Sequence, residues 1–370
     1  MSSRRHFIIQ STLATAGILM AKPFSAVGEG TPFFSFSNGD SNAVTLLHTN
    51  DLHNHLNSLS HEMYTNLGGF KNVANLIGSI KNKHSNVVLV DAGDIFCGNI
   101  HHQKEHKETL HMMSSAGYDA VLPGNRDYEA GTDYLQEQWQ QNELPLVTSN
   151  YLFKDTWLKN VHQPFKIIQK GNFTIGIIGA GTNMHHMSHV NDHVKYKDPV
   201  EDLNAIATML KHDKKCNLVI CLSHLGYKNK QAIDDIHLAM HSKNIDVIIG
   251  GHSHTFMQTP QVVLNQHQQE VIINHAGYGG MVLGNMHISF DGDGNKNKVI
   301  FQNLLSSLGL TGDTGLLKRG NIATRNQVCD FFAPLRQLVK TKAAGTVGTV
   351  GPCLIFLRLC LKRSTTFPCR

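Results

Sequence analysis

The 370-residue chain contains no Cys-x-x-Cys pair, no lysine and arginine run interleaved with aromatics, and no apolar stretch long enough to cross a bilayer. Each absence removes a class of function. The seven cysteines (Cys97, Cys216, Cys221, Cys329, Cys353, Cys360 and Cys369) are odd in number, and three crowd into the last eighteen residues. That pattern excludes a disulfide framework and a cysteine-based zinc site, and it leaves Cys97 as a small buried residue. The net charge of +5 is small for the length and spread out, so no nucleic-acid groove is expected. Stable membrane insertion needs ~20 apolar residues in a row, and none are present. There is also no internal repeat. What remains, with 41% apolar and 16% charged residues, is ordinary globular material with ample stock for a core. Histidine is the excess: 24 residues against 28 acidic ones.

The N-terminus reads as an address. Ser3-Arg4-Arg5-His6-Phe7-Ile8-Ile9 precedes a modestly apolar stretch from Leu13 to Ala21, Pro23, and small residues ending near Ala26. Residues 1–26 therefore resemble a bacterial twin-arginine export signal, with an ordinary secretory signal as the alternative. Either reading places the mature protein outside the cytoplasm, in the periplasm or beyond. Residues 27–42, rich in Gly, Ser and Asn, read as a flexible leader.

From residue 43 strand and helix patterns alternate. Apolar runs at Val44–His48, Val87–Val90, Ala120–Leu122, Leu218–Leu222 and Val247–Ile249 predict strands, the last two buried. Phe165–Ile168 and Phe173–Ile178 around Lys170-Gly171-Asn172 predict a hairpin. Val271–Ile273, Val282–Phe290 and Lys298–Leu305 predict late antiparallel strands, with Asp291–Asn295 as a turn. Phe70, Val73, Ala74, Ile77 and Ile80 recur at helical spacing after Gly68-Gly69, a second helical stretch surrounds Thr109–Ala116, and a third opens at Asp198-Pro199. This order implies an α/β domain over 43–325 with mixed sheets covered by helices on both faces. Residues 326–342, with Phe331–Thr341 at their centre, predict a linker helix. Residues 343–370 have no convincing period and read as a truncated or frame-shifted, poorly ordered tail.

The chemistry sits where strands end. Asp51-Leu52-His53, Gly93-Asp94, Gly124-Asn125, Ser223-His224 and Gly250-Gly251-His252-Ser253-His254 each follow a short apolar run. In open α/β sheets ligands bind beyond the carboxyl ends of strands. Asp51 and His53 alternate along an extended strand end, so both side chains would point the same way. Asp94 has two oxygens and can bridge two cations; Asn125 offers a neutral carbonyl oxygen, and His224, His252 and His254 offer imidazoles. Mixed nitrogen and oxygen donors suit zinc, manganese, iron or nickel rather than calcium. Two such cations roughly 3.5–4 Å apart polarise a phosphoryl oxygen and generate hydroxide near neutral pH. Any one of these residues alone reads as a cap or a turn; the ordered set carries the inference. His55, His101, His102, His185, His186 and His189 fit no ligand spacing and read as surface or loop residues, with His185-His186 the pair placed nearest a cleft.

With Thr49–His53, Gly93–Phe96, Gly124-Asn125, Ser223–Gly226 and Gly250–Thr255 in order, the chain resembles the catalytic domain of the 5′-nucleotidase family of calcineurin-like metallophosphoesterases over residues 44–310. The resemblance implies a four-layer α/β/β/α sandwich and two divalent metal ions, zinc, manganese or similar. Asp51, His53, Asp94 and His254 would hold one, and Asp94, Asn125, His224 and His252 the other. The substrate implied is a small phosphate ester, a nucleotide above all, attacked by a metal-bridging hydroxide.

Two departures qualify that expectation. After Gly-Asn the family pattern is His-Glu-Phe-Asp, its His and Asp forming a catalytic dyad; here the run is Arg126-Asp127-Tyr128-Glu129. Arginine cannot act as a general acid, because its pKa stays above ~12. It can still stabilise phosphoryl charge, oriented by Glu129. Asn125, Arg126 and Glu129 are accordingly the candidate catalytic residues, in an enzyme that is slowed or leaving-group-selective. The second departure is that the base-stacking C-terminal domain usual in the family has no counterpart before residue 370. A nucleotide-sugar or cyclic-nucleotide phosphodiesterase, a sulfur-ester hydrolase, and a silent metal or phosphate-ligand binding protein are the rival readings. Oligomeric state leaves no mark in the sequence.

Overall fold

Successive residues of a strand face opposite sides of its sheet, and the buried residues of this chain sort by that rule into three separate clusters. In the computed structural model, residues 9–11 and 42–306 are described, apart from 62, 63, 99, 141, 143, 155, 230 and 231. The expected linker helix and tail lie outside the described residues, as do all of the export segment except Ile9–Ser11 and all of the leader except Asn42.

Two sheets organise the domain. The first has seven strands. Ile9–Ser11, Lys296–Phe301, Val282–Phe290, Ala43–Thr49, Val87–Asp91 and Ala120–Val121 follow one another across it, and Leu304–Leu305 also pairs with Val282–Phe290. The second has six, in the order Gln261–Leu264, Glu270–Asn274, Val247–Gly250, Leu218–Ser223, Phe173–Ala180, Phe165–Lys170. Its four middle strands are parallel to one another, and its two outer strands are antiparallel to their neighbours, so Val271–Ile273, expected to be antiparallel, is so only toward Gln261–Leu264 and runs parallel to Val247–Gly250. The predicted hairpin is the pair Phe165–Lys170 and Phe173–Ala180. The predicted strand Lys298–Leu305 is two strands, because the chain leaves the ladder at Gln302 and Asn303 before re-pairing further along Val282–Phe290.

Leu46, Val88 and Val90 of the first sheet meet Ile175, Ile177, Ile220, Leu222 and Ile249 of the second, forming an apolar layer between them. The intervening residues Leu47, Val87 and Leu89 face the other way, onto helices Phe70–Lys81, Gln103–Ala116 and Thr132–Trp139. Val219, Cys221 and Ile248 likewise pack on helices Pro199–His212 and Asp235–His241. Helix, sheet, sheet, helix is the four-layer order expected. Burying a large aliphatic side chain contributes ~1.5–3 kcal/mol, so these layers supply the rigid frame for the loops above.

Local signals explain the helix ends. Asp198 accepts from the Val200 N–H at 2.9 Å ahead of Pro199, a capped start with proline where no donor is needed. The helix ending at Ala116 closes on Gly117 at φ 71°, a left-handed cap that glycine adopts without steric cost. That helix begins at Gln103, six residues before Thr109, because its polar first turns carry little apolar period.

Candidate metal centre

Asp51, Asp94, Asn125, His224 and His252 each lie one to four residues beyond the end of a parallel strand. The five loops converge at one edge of both sheets. Asp51, His53, Asp94 and His254 offer ligand atoms all within 4.8 Å of one another, and so do Asp94, His224 and His252. Asp94 belongs to both groups. Asn125 adjoins the second through its Oδ1, 2.9 Å from His252 Nδ1.

The reason for convergence differs from the expected one. Asp51 and His53 are not extended: their φ values are 52° and 46°, and Asp94, His252 and His254 stand at 56°, 71° and 49°. Left-handed backbone at a non-glycine residue costs on the order of 1–3 kcal/mol and persists only where surroundings over-determine it. Here they do. Asp51 N–H donates to Gly93 O at 2.8 Å, His53 N–H to Asp94 O at 3.0 Å and Asn54 N–H to Ile95 O at 2.8 Å, lacing two ligand loops together. Gly251 N–H donates to Ser223 O at 2.8 Å, lacing two more. Asn50 donates to Asp51 Oδ2 and to Gly277 O, both at 2.7 Å.

Glycine is required at two points by close approach. A Cβ on Gly124 would stand 2.3 Å from Asp94 Oδ1, and one on Gly251 would stand 2.8 Å from Ala92 O.

The donor set fits divalent cations. His224 Nδ1 lies 2.7 Å from Ala92 O and His53 Nδ1 lies 3.1 Å from Phe96 O. A carbonyl only accepts, so each Nδ1 carries the proton and Nε2 is turned into the cluster, the arrangement found in metal-ligating histidines. His224 Nε2 is buried and lies 3.2 Å from Asp94 Oδ1, turned toward the carboxylate common to both groups. His53 Nε2 and His254 Nε2 face each other at 2.8 Å. Burial lowers His53 to about 4 and His252 to about 4; a neutral imidazole is the ligating form. Burial also works to lower His224, but the Asp94 carboxylate outweighs it and raises that imidazole to about 10. Asp94 itself is held below the usual carboxylate range: burial opposes ionisation, and His224 more than compensates. A cation between them would meet the same need and displace that proton.

Asp127 was not singled out by sequence reasoning. Its Oδ2 accepts from Asp94 N–H at 3.1 Å and Gly124 N–H at 2.8 Å, and its Oδ1 from Phe96 N–H at 2.8 Å. One buried carboxylate thus ties together the loops that carry Asp94 and Asn125. Burial, then the neighbouring Asp94, raise it to about 7. Nothing in the run Arg126-Asp127-Tyr128 distinguishes such an acid from a turn residue.

Beside the cluster, Arg126 donates through one guanidinium nitrogen to Glu129 Oε1 at 3.0 Å and Oε2 at 2.8 Å, while its backbone N–H donates to Asp94 Oδ1 at 2.8 Å. Glu129 rests on Gly98, where a Cβ would fall 1.8 Å from Oε2. His189 Nε2 reaches Glu129 O at 3.1 Å, whereas His185 and His186 are exposed. Cys97 is half-buried rather than buried. His55 is partly buried and lines a cavity of about 500 Å³ with Asn54, Asn57 and Lys104. Tyr278, also unforeseen, stacks on His254 with ring centroids 5.2 Å apart.

A profile of the calcineurin-like phosphoesterases matches residues 44–256. A snake venom 5′-nucleotidase from Naja atra is 31% identical over 281 residues, covering 70% of this chain and 51% of the relative. The structure of a 5′-nucleotidase precursor from Thermus thermophilus superposes with a TM-score of 0.65 at 27% identity, over 72% of this chain and 55% of that one. An NAD nucleotidase from Haemophilus influenzae shares the fold, with a TM-score of 0.63 at 21% identity, over 72% of this chain and 56% of that one. The chain spans about half the length of these relatives.

Proposed function

As the chain belongs to the calcineurin-like phosphoesterase family, we propose that it is a metal-dependent hydrolase of small phosphate esters, 5′-nucleotides among them, working outside the cytoplasm. The observation that carries this reading is the pair of ligand groups sharing Asp94. Asp51, His53, Asp94 and His254 would hold one cation, and Asp94, Asn125, His224 and His252 the other. Two cations so held supply Lewis-acid polarisation of the phosphoryl group and activation of water.

The protein's own residues then do the positioning. Arg126 presents a fixed positive charge beside the cluster, suited to the oxygens of a bound phosphoryl group. Glu129 takes one guanidinium nitrogen on both its oxygens and so sets the direction of the rest. Arg126 does not release a proton at neutral pH. Esters whose leaving group departs as a stable anion should therefore turn over faster than alkyl esters. General-acid assistance is worth ~10²–10⁴-fold where the leaving group needs it.

The test is metal content followed by phosphate release from AMP and from p-nitrophenyl phosphate, with manganese or zinc added. Release from both, faster from the aryl ester, is expected. Retained metal with no turnover on either would instead establish a binding protein. Arg126→His should raise or hold the AMP rate; a fall would show that Arg126 has an adapted role of its own. The extracytoplasmic reading rests on Arg4-Arg5 and the stretch after them. Cell fractionation with and without Arg4→Lys/Arg5→Lys checks it. No described helix is long and apolar enough to cross a membrane.

A further inference from the structure

Behind the ligand loops lies a buried polar group that the chemistry above does not use. Ser223 Oγ donates to Asp235 Oδ1, and Asp235 Oδ2 is 2.6 Å from His275 Nε2. All three residues are fully buried. This is not a nucleophilic triad: the acid stands between the serine and the histidine, and the serine is sealed from solvent.

We propose that Asp235 and His275 are a positioning pair for His224 and His252, so that one cation site depends on them and the other does not. The proposal rests on the reading of those two histidines as ligands of a shared site. Three observations carry it. Ser223, held by Asp235, is the residue before His224. Gly250, two residues before His252, has the pair directly against its Cα: a Cβ there would stand 2.1 Å from His275 Nε2 and 2.2 Å from Asp235 Oδ2. Ser223 and Gly250 are themselves register partners at the ends of adjacent parallel strands, so the pair clamps both ends at one point. The other site has further anchors of its own, although the two are joined where His252 N–H donates to Asp51 Oδ1 at 3.1 Å and Ala276 N–H to Asn50 Oδ1 at 2.8 Å. Asp51, His53 and Asp94 are laced through Gly93, Asp94 and Ile95, and His254 is held by Tyr278 and lies 3.4 Å from Asp51 Oδ1.

Removing a group that orients a metal ligand typically weakens binding ~10–100-fold. The experiment uses the full chain and Mn²⁺ alone, read by calorimetry and by the electron-spin resonance of a coupled manganese pair. The parent should bind two ions and give the coupled spectrum. Asp235→Asn should keep one tight ion, bind the second ~10–100-fold more weakly, and lose the coupled signal at limiting metal. His275→Gln, which retains an N–H toward Asp235, should still bind both ions. Unchanged second-site affinity in Asp235→Asn would overturn the proposal, and so would equal weakening of both sites, the mark of general loosening. Should Asp235→Asn fail to fold, Ser223→Ala removes the link to Asp235 together with the long 3.3 Å bond from Leu225 N–H, and must show the same selective, smaller loss for the proposal to stand. A parent that binds no manganese defeats the reading of the ligands themselves.

Discussion

Asn125 and Arg126 are consecutive, yet they belong to regions built in opposite ways. The ligand loops are buried, strained at five of the ligands, whose φ is positive, and cross-laced by backbone bonds and by Asp127. The Arg126–Glu129 corner is one ion pair, its side chains 18% and 37% exposed, resting on a glycine. A pair that open contributes only ~0–1 kcal/mol to stability. The contrast teaches where this domain can change. Ligand loops that hold one another tolerate no drift, whereas the corner can exchange residue types without loss of fold. An arginine where the family pattern has histidine is a change of the second kind.

The comparison breaks in order of effect. Asp94→Asn removes the one carboxylate common to both ligand groups. Metal content should fall below one ion per chain and phosphate release by more than ~100-fold, since even outer-shell partners are worth 10–100-fold in affinity or activity. Full metal content in that variant would show that the two groups are not a shared site. Arg126→Ala should leave both ions bound while kcat/KM falls ~10–100-fold, the value of a charge-assisted hydrogen bond of about 1.5–3 kcal/mol. Loss of metal there would erase the distinction between the regions. Gly98→Ala is subtler. Its Cβ would displace the Glu129 carboxylate, and the φ of 75° adds strain. A several-fold fall in rate that matches Glu129→Ala, with metal content unchanged, is expected from loss of the charge-assisted contact that orients the guanidinium. A rate equal to the parent's would mean that Glu129 does not aim the guanidinium.

The same contrast marks how far sequence reading reached. The strands and helices were legible because apolar runs and alternation are local properties of the chain, as Val87–Val90 and Leu218–Leu222 show, whereas the four layers followed from the resemblance and the strand order within each sheet was not read at all. The seven candidate ligands were legible because each follows such a run. How they converge was not. Asp51 and His53 were expected to align by extended alternation, whereas paired left-handed turns aim them, and such turns are stable only once Gly93, Asp94 and Ile95 lie alongside. Asp127, Asp235 and Tyr278 escaped for a related reason. Asp235 follows Asp234, which caps its helix by accepting from the His237 N–H, and two acids at a helix start look alike on paper. Only tertiary packing separates the cap from the clamp.

His48 stands last because its effect is read in stability and not in rate. It is fully buried on the central strand Ala43–Thr49, where the Asn274 amide donates to its Nε2 at 2.7 Å across to the other sheet. Burial, then the nearby His275, lower its pKa to about 3, against ~6.5 in an unfolded chain. Between those values the native state holds fewer protons than the unfolded one, so stability rises with pH there and is lost as pH falls from about 6.5. One such group contributes a slope of ~1.4 kcal/mol per pH unit. His48→Gln keeps an acceptor for Asn274 and removes the titration. In the metal-free protein, urea unfolding at pH 7.5 and 4.5 should show the parent losing roughly 2–3 kcal/mol more than the variant across that window. The buried His106, also lowered to about 4, sets a common background in both proteins. Equal losses in the two would mean that His48 titrates in the fold as it does in the unfolded chain, and that burial does not keep it neutral.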